Sequence, residues 1–123
     1  MISTVILVHA EFDIARGCKL LREHIAAQNW KPVIGARATA ALTALGDLIL
    51  NSESSELVPI NIAIINSGEN SGIELGCNLY LPNSDSPKIH EARQRLERAT
   101  SAIDIYETAG NFQIMACLYV EGG

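Results

Sequence analysis

Apolar residues recur along this chain with two periods, one typical of helices and one typical of strands. Between Ile34 and Asn51 they lie three and four apart, which predicts a core helix. Its apolar face consists of Ile34, Ala38, Ala41, Leu42, Leu45, Leu48 and Ile49. A polar stripe of Thr39, Thr43 and Asp47 runs beside that face at a spacing of four. Such a stripe indicates either the floor of a site or the remnant of one.

The same helical spacing predicts a first helix, which Asp13 can cap. Its apolar stripe is Ile14, Gly17, Cys18, Leu21 and Ile25. We expect it to end near Trp30, because Pro32 disfavours helical geometry at the preceding residue. A polar loop from Asn51 to Glu56 should follow the second helix.

A third helix is predicted after an N-cap and N1 pair, Ser86 and Pro87, and should run to about Ser101. Its apolar stripe is Ile89, Ala92, Leu96 and Ala99. On its solvent face, Glu91 is placed to pair with Arg95 one turn later.

Alternating apolar residues predict the strands. Residues 2–9 are apolar on both alternations, which suits a strand that is buried on both faces or covered by a partner. Residues 58–65 and 73–81 form a hairpin around the turn at 67–72, and Pro59 suggests that its first strand begins at an edge or a bulge. A second hairpin turns at Ala109-Gly110-Asn111, and residues 121–123 form a frayed tail.

The predicted order is therefore β-α-α-β-β-α-β-β. Strands in antiparallel pairs, with helices not interleaved one per strand, indicate an α+β protein. We expect a two-layer α/β sandwich in which three helices cover one face of a mixed or antiparallel sheet. The 123 residues suit a single domain, 1–123.

Charge and composition narrow the possible partners. The net charge of −5 argues against general binding to nucleic acid, and also against docking to an anionic membrane surface. No apolar run looks long enough to span a bilayer, and the N-terminus reads as a strand, so we expect a cytoplasmic protein. Three cysteines without CxxC spacing argue against a disulfide framework or a zinc site. Cys18 and Cys77 are expected to be small buried hydrophobes, whereas Cys117 falls on the outward face of the sheet.

Asp47 is the first candidate for chemistry, because phosphate-binding loops, metalloprotease motifs and nucleophile elbows are absent. It could serve a metal, a nucleotide or a proton transfer in a cleft. It could equally be a boundary residue that is hydrated or paired with Arg37 or a loop amide. Thr43 can bond back to its own helix.

The sheet face away from the helices is the second candidate. If the isoleucines and leucines face the helices, the outward set includes all three tyrosines and a methionine: Tyr80, Tyr106, Met115 and Tyr119. Tyrosine and methionine are enriched at interfaces, which favours a protein contact, most simply a homodimer. The alternative is a half-solvated sheet with scattered aromatic residues.

Three strings resemble the small anti-sigma-factor and switch kinases of the GHKL (Bergerat-fold) ATPase superfamily, the RsbT-like group. They are EFDIARGCKLLREHI, GARATAALTALGDLILN and RLERATSAIDIYETAGNFQIMACLYV. The resemblance covers nearly the whole chain and implies a bacterial signalling protein with a histidine-kinase-like ATPase fold. It also implies a protein partner, either a sigma-factor regulatory protein or a STAS-type protein.

The chain departs from that family where the chemistry should lie. The catalytic Glu and the magnesium-binding Asn of the family fall on Thr43 and Asp47, and threonine cannot act as a general base. The adenine-recognising Asp-Xaa-Gly-Xaa-Gly is replaced by residues 81–87, which contain Asp85 but no glycine. The glycine-rich ATP lid is missing, so backbone amides cannot approach the phosphates in the usual way.

The resemblance with these departures implies a non-catalytic regulatory module that needs no cofactor. One alternative is a residual ATPase or Ser/Thr kinase that binds Mg-ATP, with Asp47 as a weak magnesium ligand and Asp85 for the base. Another is a sensor whose small-molecule ligand replaces ATP between the second and third helices.

Overall fold

The computed structural model describes residues 2–52 and 56–120. In chain order these residues form β1 (Ile2–Val8), α1 (Glu11–Ala26), α2 (Pro32–Leu50), β2 (Val58–Ile65), β3 (Gly72–Tyr80), α3 (Pro87–Ala99), β4 (Ala102–Thr108) and β5 (Asn111–Tyr119). This confirms the predicted order of helices and strands. The predicted loop after Asn51 lies partly outside the described residues, and the predicted tail at 121–123 lies wholly outside them.

The strands form one sheet in the order β1-β2-β3-β5-β4, and every neighbouring pair is antiparallel. The antiparallel alternative is therefore the one that the chain adopts. Helix α2 packs between α1 and α3 and reaches down to β3 and β5 at the middle of the sheet. The helices cover one face of the sheet, which gives the predicted two-layer α+β sandwich.

The core lies between these two layers and is aliphatic. The buried faces of α1 and α3 consist of the residues that the sequence predicted for them. The buried face of α2 contains every predicted residue and adds Ala44 and Gly46. From the sheet, alternate residues such as Ile60, Leu75 and Leu118 complete the core.

Three predictions about where helices begin and end are wrong. Asp13 is not the N-cap of α1: it lies in the first turn, where its carboxylate accepts hydrogen bonds from the backbone N–H groups of His9 and Ala10. Those bonds lower the pKa of Asp13. Helix α1 ends at Ala26, before Trp30, because the chain turns sharply at Asn29 with a φ of 58°. Helix α2 begins earlier than predicted, with Pro32 in its first turn, a position that needs no N–H donor.

Helix α3 begins as predicted. The hydroxyl of Ser86 accepts a hydrogen bond from the N–H of Ile89 at 3.3 Å, and Pro87 follows as the first helical residue. The helix ends at Ala99, before the predicted Ser101, because Thr100 is already extended. The final hairpin turns at Ala109 and Gly110, both with positive φ, as tight two-residue hairpin turns require.

Strand β1 is not buried on both faces. It forms one edge of the sheet, and its side chains alternate between the core and an exposed face that carries Val5 and Leu7. Strand β2, which contains Pro59, is an internal strand. Pro59 lies opposite Leu7 of β1, whereas the pairing of β2 with β3 begins only at the next residue, Ile60. Proline is tolerated here because no β3 residue lies opposite it.

Helix α2 is long and apolar enough to cross a membrane by length and composition alone, contrary to the sequence expectation. Half of that apolar window is buried inside the protein. The helix is the central helix of the core, between α1 and α3, which by itself accounts for its apolar composition.

Candidate functional site

The polar stripe of α2 is satisfied within its own helix at two of its three positions. The hydroxyl of Thr39 donates to the carbonyl oxygens of Gly35 and Ala36 at 3.0 and 3.1 Å. The hydroxyl of Thr43 donates to the carbonyl of Thr39 at 2.8 Å and lies 3.5 Å from the Sγ of Cys18. Back-bonding of this kind is how threonine is commonly accommodated inside a helix. Neither threonine offers a group that could accept a proton from a substrate.

Asp47 is paired with an arginine from the neighbouring helix. Its Oδ2 lies 2.8 Å from Nη2 of Arg95 on α3. Arg37, the predicted partner, lies ten residues earlier on α2, about 15 Å along the helix, and lines a cavity with Trp30. The predicted Glu91–Arg95 pair does not form among the described residues, because Arg95 turns toward α2.

The Asp47–Arg95 pair is an exposed contact of modest strength. Both side chains are partly open to solvent, where an ion pair contributes about 0–1 kcal/mol. The Nε of Arg95 is buried and has no hydrogen-bond partner in the described part of the chain. Arg95 therefore contacts the carboxylate of Asp47 through Nη2, while its Nε makes no hydrogen bond in the described residues.

The space between α2, α3 and the sheet is nearly filled. A cavity of about 10 Å³ lies there, lined by Leu48, Leu81, Ser84, Ile89 and neighbouring core residues. That is about the space of a single water molecule, whereas ligand pockets commonly measure about 300–1,000 Å³. The cavity at this place is therefore far too small for a nucleotide.

Asp85 does not join Thr43 and Asp47 in one site. It is exposed in the loop before α3, and no hydrogen bond or ion pair links it to either residue in the described structure. The described residues contain no group of three or more His, Cys, Asp or Glu side chains that could hold a metal ion. In the described residues, Asp47 is thus paired with Arg95 and stands apart from Asp85.

The cysteines lie apart. Cys18 and Cys77 are buried, as predicted, and burial raises the pKa of the Cys77 thiol to about 12. Cys117 is half-buried on the uncovered face of the sheet. Its pKa is raised by burial and by the carboxylates of Glu74 and Asp104. A raised pKa keeps a thiol protonated, so neither Cys77 nor Cys117 is an activated nucleophile.

The uncovered face of the sheet carries the predicted tyrosines and methionine. Tyr80, Tyr106, Met115 and Tyr119 are all exposed. They form a long band and not one compact cluster. Tyr119 lies opposite the first residue of β3, and Tyr80 is the last residue of that strand, so the two are separated by about 25 Å along the strand.

Two shallow depressions lie along that band. One, of about 240 Å³, is centred on Gly76, where the absence of a side chain leaves Met115 exposed over the backbone. The other, of about 400 Å³, lies between Tyr80 and Tyr106 and is floored by Asn78 and Gln113. Aromatic rings beside polar amides give a surface suited to both apolar contact and hydrogen bonding.

Sequence reasoning missed two features. It placed Arg95 on the solvent face of the third helix, paired with Glu91, and nothing in the sequence indicated that this arginine reaches Asp47. It also did not identify a groove of about 680 Å³ between β1 and α1, lined by residues such as Val5, Leu7 and Leu57. The signal that could have indicated this groove is that apolar residues of β1 face both sides of the strand.

No protein-family model and no curated protein sequence matches the chain. Among solved structures, the chain is similar to the crystal structure of the RsbU and RsbW domains of Rv1364c from Mycobacterium tuberculosis. The TM-score is 0.71 and the identity 11%, over 98% of this chain and 33% of the other. This chain thus spans a third of that chain's length, and at such low identity the likeness establishes the fold alone. The likeness supports the two-layer α+β fold that the sequence predicted.

Proposed function

We propose that this chain is a non-catalytic regulatory domain that acts by binding proteins, a degenerate member of the anti-sigma-factor and switch kinase group. Its partner would be a sigma-factor regulatory protein or a STAS-type protein in the bacterial cytoplasm, and the domain would form a homodimer. The observation that carries the proposal is the direct packing of α2 on α3, with Asp47 bound to Arg95.

The closed cleft supports the loss of nucleotide chemistry. A kinase or ATPase of this fold would need a general base, a free metal ligand and room for a nucleotide. Thr43 supplies no base, Asp47 is engaged by a cation, and the cavity beside Leu48 and Ile89 measures only about 10 Å³. The same small volume counts against a small-molecule sensor at this place.

The uncovered sheet face supports protein binding. The helices cover only one face of the sheet. The exposed side chains on the other face are of the types enriched in interfaces. Tyr80 and Tyr106 stand on either side of one depression, so a partner could anchor a side chain between them.

Isothermal titration calorimetry with Mg-ATP and Mg-ADP tests the loss of nucleotide binding. We expect no binding at micromolar nucleotide, because the cleft is closed and its carboxylate is paired. The Arg95→Ala variant, which frees Asp47, is expected to behave in the same way because the helices still exclude the ligand. Micromolar binding by the natural chain that disappears in Asp47→Ala would contradict the proposal and favour the residual ATPase or kinase.

Titration against purified sigma-factor regulatory proteins and STAS-type proteins tests the interaction face. We expect Tyr106→Ala and Tyr80→Ala to weaken binding about tenfold or more, as anchoring aromatic residues do. Phe12→Ala is the matched control, since Phe12 is an aromatic residue on the helical layer that is at least as exposed as either tyrosine. Equal affinity for the tyrosine variants and the control would show that the tyrosine-bearing face does not bind the partner.

A further inference from the structure

The two edges of the sheet differ in how they are protected from pairing with other strands. The outer strand β4 carries Asp104 and Glu107, and charged residues on an edge strand discourage unwanted pairing. The outer strand β1, ISTVILV, has no charge and no proline, and it pairs with β2 without a bulge from Ile2 to Val8. Its second side has no strand beside it in the described structure. Both outer strands are unpaired on one side in the described structure, but only β1 lacks charges, so the edge at β1 is the more open to pairing with another strand.

Exposed aliphatic side chains gather at the open edge. On β1, Val5 is 53% exposed and Leu7 is 51% exposed, and Leu57 beside them is 55% exposed. All three line the groove of about 680 Å³ between β1 and α1. Aliphatic side chains exposed together beside an open strand edge commonly mark an interaction surface.

The charges around the groove indicate what it can pair with. Two acidic residues, Asp13 and Glu23, and two basic residues, Arg16 and Lys19, line it. These charges sum to zero, although the whole chain carries −5. Two copies of an acidic protein repel one another least where the contact surface is neutral and carries both signs. The charge pattern therefore fits a second copy of this chain better than it fits an acidic or a basic peptide.

We propose that β1 pairs antiparallel with β1 of a second copy about a two-fold axis, which joins the two sheets into one continuous sheet. A two-fold contact brings the same surface of each copy together. Val5 lies near the middle of β1, so the two Val5 side chains would lie side by side across the axis. The inference assigns a surface to the homodimer of the proposed function, and leaves the tyrosine-bearing face free for the partner.

Light scattering coupled to size-exclusion chromatography tests this assignment. The natural chain is expected to have twice the mass of the 13.3 kDa monomer. Val5→Lys would place two ammonium groups side by side, so we expect the dissociation constant of the dimer to rise at least about tenfold. Val33→Lys is the matched control, because Val33 is 54% exposed on α2, away from the β1 edge, and its dimer should be unchanged.

Three results would overturn the proposal: a natural chain that is monomeric at every concentration, a Val5→Lys dimer as tight as the control, or equal weakening in both lysine variants. A dimer that survives Val5→Lys but is lost in Tyr80→Ala or Tyr119→Glu would assign the contact to the tyrosine-bearing face. Partner titration with the tyrosine variants reports on the proposed function separately, so the two failures are distinguishable.

If Val5→Lys does not fold, hydrogen exchange of the natural chain tests whether the two copies pair through β1. Alternate backbone amides of β1 point away from β2 and are open to solvent in a monomer. We expect these amides to exchange more slowly in concentrated protein than in diluted protein. Exchange that is independent of protein concentration would contradict pairing through β1.

Discussion

Replacing Leu45 by alanine is expected to lower the free energy of unfolding by about 2–5 kcal/mol. Leu45 is fully buried on the central helix α2, which packs against α1, α3 and the middle of the sheet. Truncation removes apolar surface from the core and leaves a cavity, which the surrounding helices and strands cannot fill without moving. Domains of this size commonly have about 5–15 kcal/mol of stability in total, so the change would remove a large part of it.

Urea denaturation followed by circular dichroism measures this loss. Leu57→Ala is the control, because Leu57 has the same side chain but is more than half exposed, and we expect it to change stability by less than about 0.5 kcal/mol. Both should be measured at low protein concentration, so that association between copies does not contribute. Equal losses for the two variants would mean that α2 is not the centre of the core.

A methyl group added at Gly46 is expected to destabilise the protein by about 1–3 kcal/mol, although alanine favours helices more than glycine does. The Cβ of an alanine at this position would overlap the side chain of Ile14 on α1. The Cγ1 and Cγ2 atoms of Ile14, close to its backbone, are also in the way. Rotation of the side chain tip is therefore insufficient, and α1 would have to move away from α2.

Gly35→Ala is the control for this prediction, since Gly35 lies on the same helix. Its added Cβ would meet only the Cγ2 of Ile25, at an ordinary contact distance of 3.9 Å. We expect that variant to gain about 0.5–1 kcal/mol from the better helix former. The midpoint of thermal unfolding should thus fall for Gly46→Ala and rise for Gly35→Ala. A rise in both would show that α1 and α2 are not packed closely at Gly46.

The functional prediction depends on the same helix packing. Helix α2 holds Asp47 beside Arg95 of α3 and leaves almost no cavity between the two helices. The fold also leaves one face of the sheet uncovered and the edge at β1 open to another strand. These two surfaces are where we expect this protein to act.

The sequence by itself determined the elements and their faces. Spacing of three and four placed Ile14, Leu21 and Ile25 on the buried side of α1, and alternation placed Ile60 and Leu75 in the core. These features are predictable because side-chain direction repeats with the local geometry of a helix or strand. Helix ends were less predictable: the positive φ of Asn29, which ends α1 early, had no clear signal in the sequence.

The tertiary structure alone decided which elements meet. That Asp47 binds Arg95, and not Arg37, depends on α2 lying beside α3, a contact between residues far apart in sequence. That Val5 and Leu7 are exposed depends on the helices covering only the other face of the sheet, and that they lie beside an unpaired edge depends on β1 being an outer strand. Periodicity describes each segment separately, whereas neighbours and edges result from packing all segments around one core. For that reason the sequence predicted the scaffold, and the structure was needed to show the Asp47–Arg95 contact and the open edge at β1.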